Sequence, residues 1–249
     1  MAGHSHWAGI RHKKGVNDAR RGKIFSKHAR LITTAARVGG PDPDQNLRLK
    51  YAIDKAKADN MPKDNIERAI KKGSGEAGGE HFETVLYEGY LAGGVAVLID
   101  SLTDNRARTA PDLRRILEHH GGNLAVTGSV SWMFEQKSVF RFKAKDYSEE
   151  SLLEIAADIG ADDVRAALED WEMIGDSRRF AEVRDALLKR KAAFHAAEIV
   201  YFPRNVLDVK DLEVARSILA TLDDLENNDD VQNTFANFEF SEEMLKSLG

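Results

Sequence analysis

The sequence predicts an α+β protein of several domains, in which a helical N-terminal unit precedes two units that mix strands with helices. Three observations lead there. Apolar residues recur at helical spacing through the first 75 positions, a glycine-rich run then interrupts the chain, and beyond it β-branched and aromatic stretches alternate with amphipathic ones. The charge follows the same division. Residues 1–75 hold 17 of the 36 Lys and Arg side chains and seven acids, about +10, while the remainder carries about −15.

Residues 1–16 are polar, basic and punctuated by Gly, and they read as an arm. From Asn17 or Asp18 to about Val38, Ile24, Phe25, Leu31, Ile32 and Ala35 fall on one helical face, with Arg20, Lys23, Lys27, Arg30 and Arg37 on the other. Gly39-Gly40-Pro41 ends that helix. A second is expected from Asp44 to Asp59, and a third from Pro62 to the cationic turn Lys71-Lys72-Gly73. Gly73 to Gly79 reads as a linker.

Strands are then expected at Phe82 to Leu91 and Val95 to Leu102, a helix at Ala107 to His120, and an extended piece at Asn123 to Val126. Trp132 to Glu135 and Val139 to Lys143 read as a hairpin about Gln136-Lys137-Ser138. Next come a helix at Glu149 to Ile159, a strand at Leu168 to Ile174, a helix at Arg178 to Lys191 and a strand at Glu198 to Phe202. A helix at Lys210 to Leu225, a strand at Val231 to Phe240 and a short helix close the chain. Hairpins imply antiparallel pairing, with Pro111 and Pro203 marking turns, so two sandwiches of the ferredoxin-like kind fit best. The simplest domain division is 1–75, then 80–130 plus 206–249, with 131–205 inserted.

Composition excludes several classes. No run approaches the roughly 18 apolar residues of a membrane span. The basic N-terminus is not followed by the apolar stretch of a secretory signal, and there is no cysteine for disulfides or thiolate chemistry, so a reducing cytosol is expected. P-loop, zincin and nucleophile-elbow strings are missing, and no catalytic constellation, metal site or cofactor is expected. Gly73-x-Gly75-x-x-Gly78 follows a helix and precedes a strand, the reverse of a dinucleotide site. His4 and His6 read as polar or phosphate-contacting groups, and His119-His120 as cations for a helix C-terminus. The acids at Glu149-Glu150, Asp162-Asp163 and Asp223 to Asp230 read as solvated faces. Phe140 and Phe142 read as core in preference to an RNA-stacking sheet.

The basic stripe remains. Residues 11–37 carry nine Lys and Arg side chains and one acid, Asp18, whereas a face built only for solubility mixes signs. Phosphate is the partner such a stretch meets, since each neutralised phosphate releases counterions. Trp7, set among His4, His6 and Arg11, could equally stack on a base or dock on the helices.

The strings MAGHSHWAGIRHKKGVNDARRGKIFSK, MPKDNIERAIKKGSG, YEGYLAGGVAVLID, LTDNRARTAPDLRRIL and GGNLAVTGSVSWMF, in this order, resemble the YebC family, also called the YebC/PmpR or mitochondrial translational-activator family. The resemblance covers essentially the whole chain and implies three domains, one helical and two α/β. It implies a transcriptional regulator that binds DNA or, by its mitochondrial and some bacterial relatives, a factor acting in translation on the ribosome, bound to ribosomal or transfer RNA. By resemblance the basic motif maps onto Arg11, Lys13, Lys14, Arg20, Arg21, Lys23 and Lys27, and a loop motif onto Asp104, Asn105, Arg106 and Arg108. With Trp7 and Arg30, these are the candidate contact residues. The chain departs from the family pattern at His6, usually Lys, and at Leu91-Ala92-Gly93-Gly94, often Gly-Pro-Gly-Gly.

Overall fold

The computed structural model of the chain describes residues 18–75, 82–167 and 170–248. Three helices come first, α1 (Asp18–Gly39), α2 (Leu47–Ala58) and α3 (Lys63–Ser74). Ile32, Ala36, Leu49, Ile53, Met61, Ile66 and Ala69 form their shared core. Buried Asn46 joins the first two: its side chain accepts from Leu49 N (3.1 Å) to cap α2 and donates to the Ala35 and Gly40 carbonyls, each at 2.7 Å. Gly73 is not linker, because it belongs to α3 and sets how closely α3 approaches α1. A Cβ there would stand 2.4 Å from the Thr33 carbonyl oxygen and 2.8 Å from Ala36 Cβ.

The next elements are β1 (Glu83–Tyr90), β2 (Ala96–Thr103), α4 (Arg106–His119) and β3 (Asn123–Leu124). Then follow β4 (Phe134–Lys143), α5 (Glu149–Ile159), β5 (Asp163–Ala167), β6 (Asp170–Asp176), α6 (Phe180–Lys189) and β7 (Ala196–Pro203). The chain ends with β8 (Leu207–Asp208), α7 (Leu212–Asn227), β9 (Val231–Ala236), β10 (Phe238–Glu239) and α8 (Glu242–Leu248).

Two antiparallel sheets result. One has the order β3-β1-β2-β9, so its edge strand β9 arrives after the whole second sheet has been traversed. Helices α4 and α7 cover one face through Val97, Ile99, Leu113, Leu117, Ile218 and Leu222. The second sheet has the order β5-β6-β4-β7 in a β-α-β-β-α-β sequence, the split βαβ arrangement of ferredoxin-like domains. Phe140, Phe142, Leu152, Met173 and Leu187 fill the space beneath α5 and α6, so the two phenylalanines are core. The far face of the first sheet, with Ala96, Leu98 and Phe235, packs on Val130, Phe134, Val200 and Tyr201. Helix α2 reaches the second sheet's unit through a Tyr51–Phe180 edge contact with ring centroids 6.0 Å apart.

Several expectations are corrected. The Gln136-Lys137-Ser138 hairpin does not exist, because β4 is continuous and central, paired along both edges, and that pairing outweighs three polar residues. The strand expected at Leu168 to Ile174 is present as β6 from Asp170 onward, Leu168 and Glu169 lying outside the described residues, and the antiparallel neighbour β5 was not expected. Pro111 lies within α4, where Leu113 and Leu117 anchor the helix despite the missing N–H. The Leu91–Val95 turn needs no proline: Gly93 (φ +72) and Gly94 (φ +77) supply the left-handed backbone, and Leu91 N donates to Val95 O at 2.8 Å.

The Gly73 contact yields a test. Gly73→Ala is expected to lower unfolding stability by about 1–3 kcal/mol, the cost of overpacking a close contact. Helix propensity alone would raise stability, by about 1 kcal/mol. Urea denaturation distinguishes the two, and a midpoint at or above the wild type would refute the close-approach explanation.

Candidate nucleic-acid interface

Lys23, Lys27 and Arg30 recur along one side of α1, as their spacing requires, but that side meets the rest of the molecule. Lys23 Nζ donates to the Asn227 carbonyl (3.0 Å) and Lys27 Nζ to the Glu226 carbonyl (2.6 Å), both at the C-terminal end of α7. A helix C-terminus presents unsatisfied carbonyls and partial negative charge, and α7 has no basic residue in its last turn. Helix α1 supplies those cations from outside.

One turn further on, Arg30 Nη1 donates to the Asp229 carbonyl (2.8 Å) and to Asp230 Oδ1 (2.7 Å), and its guanidinium lies over the Phe82 ring, 5.4 Å from the centroid. Asp230 is buried, 4% exposed, and is the hub of the site. Arg108 Nη2 reaches both of its oxygens (3.1 and 2.9 Å), Thr109 Oγ1 donates to Oδ2 (2.7 Å), and Thr103 Oγ1 lies 3.4 Å from it. Burial alone would raise the Asp230 pKa, but the hydrogen bonds from Arg108, Thr109 and Arg30 outweigh it and hold the carboxyl below its ordinary value. The hydrogen bonds that Arg108 donates to Asp230 and Asp104 raise its own pKa.

The loop residues serve this network. Asn105 caps α4 by accepting from Arg108 N (3.2 Å), while its own N–H donates to Thr103 Oγ1 (2.9 Å). Asp104 Oδ1 accepts a second bond from Arg108 Nη2 at 2.8 Å. Arg106 makes a two-point pair with Glu83, with Nε to Oε1 at 2.7 Å, and remains largely exposed.

The structure therefore brings Arg30, Asp104, Asn105 and Arg108 together around one carboxylate and sets Arg106 beside them. Lys23 and Lys27 do not form a free stripe. Arg20 and Arg21 lie in the first turn of α1, and Trp7, Arg11, Lys13 and Lys14 lie outside the described residues.

The acidic run Asp223 to Asp230 is not merely a solvated face. Asp230 is buried, and Asp224 Oδ2 lies 2.8 Å from Nε2 of His120, the C-cap of α4, which ties α4 to α7. Asp230, Glu83, Thr103 and Thr109 escaped sequence reasoning. The available signal was that α7 ends in acids with no cation in its last turn, in a chain whose first helix has cations in excess. Among the described residues no group of three or more His, Asp or Glu is arranged to hold a metal ion, and no helix is long and apolar enough to cross a membrane.

Comparison with known proteins places this geometry. Residues 5–76 match the model of the TACO1/YebC protein N-terminal domain, and residues 82–238 that of the TACO1/YebC second and third domain. Proteins named "Probable transcriptional regulatory protein" from Syntrophobacter fumaroxidans and Aquifex aeolicus are 49% and 48% identical over 248 and 249 residues, each covering 100% of both chains. The crystal structure of a conserved hypothetical protein from Aquifex aeolicus superposes with a TM-score of 0.84 at 48% identity, covering 96% of this chain and 99% of that one. The charge-split sequence, the helical unit docked on two α/β sheets and these matches lead to one conclusion: the chain belongs to the TACO1/YebC family.

Proposed function

We propose that the chain is a nucleic-acid-binding regulator of gene expression, acting by binding and not by catalysis, with phosphate contacts supplied by the N-terminal basic segment, α1 and the loop at Asp104 to Arg108. The observation that carries this reading is the convergence of Arg30 and Arg108 on a single carboxylate: the cations are already arranged to receive an anion. The regulatory names of the relatives at nearly 50% identity agree with it. In the free protein Asp230 and the α7 carbonyls hold Lys23, Lys27 and Arg30, so phosphates compete with an internal acidic surface for these side chains.

One observation weighs against sequence-specific reading of DNA by α3. The exposed positions of α3, which follows α2 after a short turn, alternate Lys63, Asp64, Glu67, Arg68 and Lys71, with Lys63 and Glu67 paired. Acids on that face oppose insertion into a groove, and phosphate contacts without base reading serve either nucleic acid. The deciding experiment asks what the protein accompanies in a cell extract. Ribosome co-sedimentation at low salt supports the translational form, strong promoter competition over random DNA supports the transcriptional form, and failure of both overturns the reading.

Two further outcomes are expected. If about four phosphates are neutralised, affinity falls roughly 100-fold between 50 and 200 mM salt. Lys13→Ala/Lys14→Ala and Lys23→Ala/Lys27→Ala should each flatten that slope in a salt titration, and an unchanged slope in both would discard the basic segment as the contact surface.

Asp230→Asn should tighten nucleic-acid binding while lowering stability at neutral pH by about 1–3 kcal/mol, since charged donors lose their partner. Because folding depresses the Asp230 pKa, its contribution is complete above the ordinary carboxylate value and disappears as the pH falls through the depressed one. The stability gap between wild type and variant should therefore narrow below about pH 4, and denaturation curves at pH 7 and pH 3 measure it.

A further inference from the structure

At the other end of the first sheet a second carboxylate holds a different surface. Glu88, 3% exposed, accepts from Gly128 N (2.7 Å) with Oε1 and from Val130 N (2.7 Å) and Ser131 N (2.9 Å) with Oε2. Three charge-assisted bonds pin the loop between β3 and β4, and Gly128 (φ +89) makes the turn they require. Trp132 Nε1 donates to the Ser129 carbonyl at 3.0 Å, which fixes the indole and uses its only donor.

The loop is braced, yet two of its apolar side chains, Val126 at 78% and Trp132 at 64% exposure, face solvent. An aromatic ring held on a braced loop and left uncovered is a surface prepared for a partner. Its electrostatics indicate which kind. The 13 residues from Gly121 to Met133 contain no charged side chain, in a part of the chain where acids predominate, and Glu88 is spent on backbone N–H groups. Beside the loop, Arg204 N donates to the Met133 carbonyl at 2.8 Å, and the exposed Arg204 makes no ion pair among the described residues. An exposed π-face on a loop without charged side chains, with an exposed arginine joined to that loop through its backbone, matches the stacking platforms of single-strand binders.

We propose that Trp132, held by the Glu88-pinned loop, is a base-stacking site for a single-stranded segment of nucleic acid, with Arg204 meeting the adjoining phosphate. This rests on the nucleic-acid reading above and adds to it a contact remote from α1. The test compares full-length wild type, Trp132→Ala and Arg204→Ala for binding to oligouridine and to inorganic polyphosphate, which has charge but no bases. Trp132→Ala should bind oligouridine about tenfold more weakly and polyphosphate unchanged, because stacking is worth roughly 1–3 kcal/mol per base. Arg204→Ala should lower the salt dependence for oligouridine, and the oligouridine-induced quenching of wild-type tryptophan emission should be reduced in Trp132→Ala. Equal loss for both probes, or unchanged oligouridine affinity, overturns the stacking site and leaves the surface to a protein partner. The nucleic-acid reading survives that result if the wild type still binds oligouridine with a steep salt dependence. A wild type that binds neither probe overturns both.

Discussion

A buried carboxylate is tolerated only where donors replace the water it has lost, and Asp230 meets that requirement with groups from widely separated parts of the chain. Arg30 comes from the helical unit and Arg108 and Thr109 from α4, while the backbone of Asp230 is held separately, its carbonyl accepting from Leu102 N on β2 at 2.7 Å. The position of the helical unit on the first sheet is thereby coupled to the satisfaction of one side chain. Lys23 and Lys27 extend the same contact along the end of α7. The opposite charges of the two parts of the sequence thus meet within the folded protein.

Glu88 follows the same principle at the opposite end of the sheet. The β1–β2 register pairs Glu83 with Thr103 at one end and Glu88 with Leu98 nearer the other, a separation of about 17 Å along β1. The cation cluster and the braced loop are therefore separate places on one scaffold. Each uses a buried acid to fix a surface element, one the entry to α4 and the other the loop carrying Trp132. The phosphate contacts proposed at one end and the stacking proposed at the other suit an extended polyanion, and the second sheet packs Phe134 and Val200 against the first.

Much of the fold was legible because its signals are local. Helix α5 has the bounds expected, since Ser148 caps its first turn and Gly160 (φ +70) ends it in the left-handed conformation. The three N-terminal helices follow from apolar periodicity and Gly or Pro breaks. Strand β4 was misread because a polar trio has turn composition, whereas its two paired edges come from segments distant in sequence. Pro111 misled for the same reason, its local preference being overcome by the packing of α4.

The candidate site divides along that line. The sequence by itself determined the separation of charge and the placement of Lys23, Lys27 and Arg30 on one helical side, because each depends on residues a few positions apart. Only the tertiary structure decided which cations are engaged. Arg30 and Asp230 lie 200 positions apart, and an acid at the end of an acidic run looks solvated until the sheet forms beneath it. Burial belongs to the assembled fold, and it is burial that makes Asp230 and Glu88 organising groups instead of two acids among many.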